Sequence, residues 1–82
     1  MDTILTLYGR RDCHLCDEMR AALEHWRTRL GFVLALKDID EDPELVARFG
    51  NKVPVLMHDD REICHYFLEE SALLKCLGKE TE

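Results

Sequence analysis

Apolar and polar residues alternate from Thr3 to Tyr8 (TILTLY), and this period of two, with β-branched Thr and Ile, predicts a first strand. The period then changes. From about Cys13 or His14 to Arg29, Leu15, Met19, Leu23 (with Ala22), Trp26 and Leu30 recur every three or four positions, the stripe of an amphipathic helix. Gly31 is a natural stop for it. Phe32 to Ile39 predicts a second strand. Asp42-Pro43 pairs an N-cap acid with proline at the first helical position, so a short helix follows. Its inward residues are Leu45, Val46 and Phe49, and Gly50 ends it. Val53 to Met57 reads as a third strand that begins around a proline, His58 to Arg61 as a polar hairpin turn, and Glu62 to Phe67 as a fourth strand. Glu69 to Leu77 forms the last helix, with Leu73, Leu74 and Leu77 buried and Gly78 after it.

The order β-α-β-α-β-β-α places the chain in the α/β class. The first β-α-β unit implies a parallel strand pair joined by a right-handed crossover. The closing hairpin adds antiparallel pairing, so the expected core is a four-stranded mixed sheet with helices on both faces. No linker, repeat or low-complexity segment interrupts residues 1–82, which are read as one domain.

Composition narrows the function. The formal net charge of −6 argues against nucleic acid and anionic membranes as partners. The N-terminus has an acid at Asp2 and an apolar run too short for a signal peptide, and no stretch approaches transmembrane length. A cytoplasmic location is therefore expected. In that reducing setting the four cysteines point to catalysis or metal binding rather than to structural disulfides.

Cys13-His14-Leu15-Cys16 stands at the strand-to-helix turn, the layout of a dithiol redox centre. The free N–H groups and partial positive charge of a helix N-terminus favour a thiolate there. Cys13 is the candidate nucleophile and Cys16, one turn on, the resolving thiol. His14, if protonated, would stabilise the Cys13 thiolate; otherwise it is an exposed spacer. Arg10 and Arg11 add positive charge that Asp12 opposes. Arg11 and His14 are candidate substrate contacts, with plain surface charge as the alternative for the arginines. Zinc would find three ligands in Cys13, Cys16 and a histidine, one short of a structural site, and there is no second Cys-x-x-Cys, so no metal is expected. Asp38, Asp40, Glu41 and Asp42 read as a solvated helix entrance, because calcium loops need a longer ligand pattern. Cys64, Cys76, Met19 and Trp26 read as core. Lys52 reads as a loop lysine, or as a partner for an anionic ligand.

Leu7-Tyr8, Cys13-x-x-Cys16, Asp38-Ile39-Asp40 with Asp42-Pro43-Glu44-Leu45, and Val53-Pro54-Val55 together resemble the glutaredoxins of the thioredoxin-fold superfamily, in particular a branch of small bacterial glutaredoxin-like proteins. The resemblance spans essentially the whole chain, and two motifs about forty residues apart in the right order are far more specific than either alone. It implies a thioredoxin-like fold with Pro54 cis beside the cysteines. It also implies that the backbone before Pro54, at Val53, hydrogen-bonds an incoming peptide or glutathione. Val53 and Pro54 thereby join the candidate substrate-binding residues.

The departures from the pattern are specific. His14-Leu15 replaces the usual Pro-Tyr of glutaredoxins or Gly-Pro of thioredoxins. Lys52 stands where glutaredoxins usually have threonine. His65-Tyr66-Phe67-Leu68-Glu69-Glu70 takes the place of the Gly-Gly-Asp segment that holds the glutathione γ-glutamyl end. Fold and dithiol chemistry carry over; glutathione specificity does not.

The expected function is a small thiol–disulfide oxidoreductase that reduces or exchanges protein or glutathione disulfides. The expectation includes no bound cofactor, with glutathione or a thioredoxin-reductase-like flavoenzyme supplying electrons, and a monomer. Two alternatives belong to other classes. One is a non-catalytic thioredoxin-fold binding module, suggested by the missing Gly-Gly-Asp segment. The other is a glutathione-dependent iron–sulfur carrier, since some glutaredoxins bridge a [2Fe–2S] cluster through the cysteine at the nucleophile position.

Overall fold

The computed structural model describes residues 3–78. The elements follow the expected order: β1 (Ile4–Gly9), α1 (His14–Leu30), β2 (Val33–Asp38), α2 (Pro43–Phe49), β3 (Val55–His58), β4 (Arg61–His65) and α3 (Glu70–Cys76), with one added 3-10 turn at Ile39–Glu41. The sheet order is β2-β1-β3-β4. β1 pairs in parallel with β2, while β3 runs antiparallel to both β1 and β4.

Strand alternation sorts the core into two halves. Leu5 and Leu7 of β1, Leu56 of β3 and Cys64 of β4 face one side and pack with Met19 and Leu23 of α1 and Leu73 of α3. Tyr8 of β1 and Val55 and Met57 of β3 face the other and pack with Ile39, Leu45 and Phe49. Thus α1 and α3 cover one face and α2 the other. The period of two in the strands and of 3.6 in α1 produces this directly.

The element ends differ from the sequence reading for local reasons. β2 stops at Asp38 because the Asp38 carboxylate accepts the Asp40 N–H at 2.9 Å and caps the 3-10 turn, which removes Ile39 from the strand. β3 begins after Pro54, whose peptide bond to Val53 is cis. β4 is Arg61–His65 rather than Glu62 to Phe67, since Tyr66 has φ of 66° and turns the chain out of the extended region. The hairpin turn is shorter than expected, Asp59-Asp60, with Asp59 at φ 55°, a conformation that aspartate tolerates.

Helix ends follow their capping chemistry. Gly31 closes α1 in the left-handed conformation, its N–H donating to the Arg27 carbonyl. Asp42 caps α2 by accepting the Glu44 N–H at 2.9 Å, and Pro43 opens that helix. Gly50 ends α2 for a different reason from Gly31. Its φ of −53° is ordinary, but a Cβ there would lie 2.6 Å from the Val46 carbonyl oxygen.

Three core expectations need correction. Trp26 is only half-buried: its indole N–H donates to Glu70 Oε2 at 3.3 Å, so it clamps α1 to α3 at the rim of the core. Cys64 is buried as expected, but Cys76 is partly exposed and its Sγ lies 3.4 Å from His58 Nδ1. Leu74 and Leu77 are partly exposed, and only Leu73 of α3 is fully buried. Among the described residues no helix is long and apolar enough to cross a membrane.

Candidate active site

β1 delivers the chain to the dithiol at the carboxyl end of a central strand. Gly9 closes the strand, and Asp12 makes the turn with φ of 56°. Cys13 is the N-cap of α1, in extended backbone geometry, and its carbonyl accepts the Asp17 N–H at 3.1 Å as the first bond of the helix. Its sulfur accepts the Cys16 N–H at 3.1 Å. A sulfur at an N-cap sits where orphan N–H groups and the helix dipole stabilise negative charge. Cys13 and Cys16 are joined as a disulfide, with Cα atoms 5.2 Å apart. Cys16 is buried, at 7% exposure, whereas Cys13 is partly open to solvent. The more accessible sulfur is thus also the capping one.

Gly9 was not singled out from sequence, yet it belongs to the site. A Cβ at this position would stand 3.1 Å from Cys16 Sγ, so the bare backbone lets β1 pass beneath the resolving sulfur. A lone glycine ending a strand just before a dithiol is the signal that could have found it.

The flanking charges divide into two sets. His14 is exposed, and its Nε2 reaches along the helix to the Glu18 carboxylate at 2.6 Å. Arg10 leaves the loop to pair with Asp40 at 2.8 Å and donates to the Gly50 carbonyl at 3.5 Å. Hydrogen bonding by Arg10 holds the Asp40 carboxyl below its ordinary range, and the same bond pushes the guanidinium up. Arg10 therefore staples the loop before Cys13 to the entrance of α2, a tie that neither residue announces in the sequence. Arg11 lines an open groove of about 350 Å³ beside Cys16, together with Arg20, Lys37, Asp17 and Glu41.

The proline loop approaches from β3. The antiparallel register Tyr8↔Val55 carries Pro54 to the same end of the sheet as Gly9. The Pro54 carbonyl accepts the Tyr66 N–H at 2.9 Å, and the Tyr66 hydroxyl donates to the Asn51 carbonyl. Tyr66 in turn lines a second groove, of about 230 Å³, with Leu15 from inside the Cys-x-x-Cys motif. The Val53 N–H is already committed to the Phe49 carbonyl at 3.1 Å, so an incoming strand finds that donor taken.

Lys52 is a paired residue rather than a free loop lysine. Its Nζ lies 2.6 Å from Glu62 Oε1, and His65 Nδ1 lies 2.6 Å from Glu62 Oε2. The Lys52 hydrogen bond, with a further one from His65, holds the Glu62 carboxyl below the usual glutamate range. A carboxyl depressed in the folded state stabilises the fold above its unfolded pKa and loses that contribution as pH falls through the folded one. The pair is partly solvated, so the effect is under about 1 kcal/mol. The wild-type melting temperature is accordingly expected to fall more steeply than that of Glu62→Gln between about pH 5 and pH 3. Parallel melting curves for the two proteins across that range would refute the coupling. Among the described residues no group of three or more His, Cys, Asp or Glu side chains is placed to hold a metal ion.

A protein-family model described as "Glutaredoxin-like domain (DUF836)" matches residues 4–78. Among solved structures, the solution NMR structure of protein Ne2328 from Nitrosomonas europaea is similar at 36% identity with a TM-score of 0.83, over 93% of this chain and 92% of that one. The X-ray structure of a Xanthomonas target protein (X. campestris XcR50) is similar at 33% identity with a TM-score of 0.67, over 94% of this chain and 99% of that one. Thioredoxin of Fasciola hepatica, at 17% identity and a TM-score of 0.62 over 98% of this chain and 82% of its own, shares the fold. The uncharacterized protein Rv0508 of Mycobacterium tuberculosis is 29% identical over 80 residues, 92% of this chain and 82% of the relative.

Proposed function

This chain belongs to the glutaredoxin-like domain family and has the thioredoxin fold, and on that premise we propose that it is a dithiol thiol–disulfide oxidoreductase acting on protein or glutathione disulfides. The observation that carries the reading is the placement of Cys13 Sγ at the N-cap of α1, accepting the Cys16 N–H and within bonding reach of Cys16 Sγ.

The chemistry follows from that placement. In the reduced protein the Cys13 thiolate attacks one sulfur of a substrate disulfide. A Cys13–substrate S–S bond forms, the substrate S–S bond breaks, and the departing thiolate takes up a proton. Cys16 then gives up its proton and attacks Cys13 Sγ. The Cys13–Cys16 bond forms, and the second substrate thiolate leaves and is protonated. Two electrons have passed from the dithiol to the substrate. The exposure of Cys13 suits the first attack, and the burial of Cys16 keeps it for the second. Glutathione or a thioredoxin-reductase-like flavoenzyme returns the pair to the dithiol, in the cytoplasm, with the protein acting as a monomer. No bound cofactor is needed for these steps.

The test is a titration of the protein in glutathione redox buffers, with free thiols trapped and read by intact mass. A reversible Cys13–Cys16 couple at roughly −180 to −270 mV is expected, the range of working oxidoreductases. A pair that stays reduced throughout, or that oxidises only irreversibly, would replace this reading with that of a binding module.

A further inference from the structure

The segment that stands in place of the glutathione-holding loop is not a neutral substitute. Tyr66 is 40% exposed and Phe67 is 64% exposed, two large aromatic residues presented to water. With Leu68 and with Leu15 of the motif they wall the groove of about 230 Å³ between α1 and the β4–α3 connection. Leu15 stands between the two cysteines in the chain and Tyr66 is bonded to the Pro54 carbonyl, so this groove borders the Cys-x-x-Cys motif, although neither sulfur lines it. Tyr66 is held at both ends, by its N–H on the Pro54 carbonyl and its hydroxyl on the Asn51 carbonyl, so that wall is built before any substrate arrives.

The charge of the groove is equally one-sided. Glu18 and Glu70 stand on it, and no cation does. Each of these carboxylates has one oxygen engaged, Glu18 Oε2 at 2.6 Å from the His14 ring and Glu70 Oε2 at 3.3 Å from the Trp26 indole nitrogen, which leaves the other oxygen for an incoming group. Glutathione brings two carboxylates and one ammonium, so it meets acids here and no counter-charge. The cations near the dithiol (Arg10, Arg11, Arg20 and Lys37) line the other groove, which meets the buried Cys16 and has Asp17, Asp38 and Glu41 among them; of these cations Arg10 is paired with Asp40. With the Val53 N–H committed to Phe49, main-chain pairing offers an incoming strand less than usual, which leaves more of the recognition to side chains.

We propose that the substrate of this dithiol is a polypeptide disulfide whose cysteine is flanked by an apolar side chain, seated against Phe67, Tyr66 and Leu15, and by a basic side chain, facing Glu18 and Glu70. The proposal rests on the oxidoreductase reading and names the substrate class of the same site. The covalent steps are those given above, starting from protein reduced beforehand with a small dithiol that is removed, so a single turnover needs no other reductant.

The test compares single-turnover rates on three probes: a disulfide-linked Arg-Leu-Cys-Phe peptide, the same peptide with Glu for Arg, and oxidised glutathione. The rates are expected to fall in that order, with about tenfold between the first and the last, the size of one well-made contact. Phe67→Ser is expected to shrink the ratio of the first rate to the last several-fold, and Phe67→Leu to restore much of it. Because Phe67 is largely exposed, both variants are expected to fold, which circular dichroism checks. Glu18→Gln is expected to narrow the gap between the basic and the acidic peptide. If no probe is reduced, the oxidoreductase reading itself fails. If oxidised glutathione reacts as fast as the basic peptide, or the ratio ignores Phe67→Ser, the substrate class is overturned while the oxidoreductase reading stands.

Discussion

A stable, stoichiometric adduct on Cys13 is the expected fate of the Cys16→Ser protein when it meets a disulfide. Serine at position 16 cannot displace the product, because its hydroxyl is not ionised near neutral pH and a sulfur–oxygen bond is no substitute for a disulfide. Intact mass should then increase by one half of the disulfide offered, and the increase should reverse with a small dithiol. Cys13→Ser has the opposite signature, with no adduct at position 13 and no reduction above the rate of buffer alone. The other two thiols are poor replacements. Cys64 is buried, and burial pushes its thiol up from the ordinary cysteine range. Cys76 is also pushed up by burial and sits against His58 on the far end of the hairpin. A thiol held protonated is a weak nucleophile. Full turnover by the Cys13→Ser protein would therefore remove the proposed mechanism rather than reassign it to another cysteine.

What could be read in advance was whatever the chain repeats or punctuates. Alternation in β1 and the 3.6-residue stripe of α1 are local patterns that survive folding, and Gly31, Asp42 and Pro43 mark helix ends by their own chemistry. The dithiol was legible because its place after a strand and before a helix is itself a sequence property. The resemblance added the cis bond at Pro54, which periodicity could not supply.

The missed features depend on partners far away in sequence. Arg10 finds Asp40 only because β1 lies beside β2, and Lys52 finds Glu62 only because β3 lies beside β4. Tyr66 reads as a strand aromatic until its backbone turns to positive φ and places the ring beside Leu15. Gly9 looks like any strand-ending glycine until the sulfur of Cys16 is seen above it.

The same distinction sets the second large effect. Leu36 and Leu56 look alike in sequence, each an aliphatic residue inside a strand. In the fold β2 is an edge strand, and Leu36 is 49% exposed. Leu56 lies on β3, flanked by β1 and β4, paired with Leu7 and Cys64, and is fully buried beneath α1 and α3. Truncating Leu56 to alanine removes buried methyl groups and leaves a cavity whose walls belong to both helices, so Leu56→Ala is expected to cost about 3 kcal/mol. In a domain this small that lowers the melting temperature by about 15 °C and takes a large share of a total stability near the lower end of about 5–15 kcal/mol. Leu36→Ala is expected to cost under about 1 kcal/mol. Thermal melts of the two variants decide the matter, and equal losses would mean that β3 is not the buried centre of the sheet. The helix that carries Cys13 and Cys16 stands on the same core through Met19 and Leu23. Leu56→Ala should therefore also make the dithiol easier to alkylate at temperatures below the main transition, because the floor under α1 has been loosened.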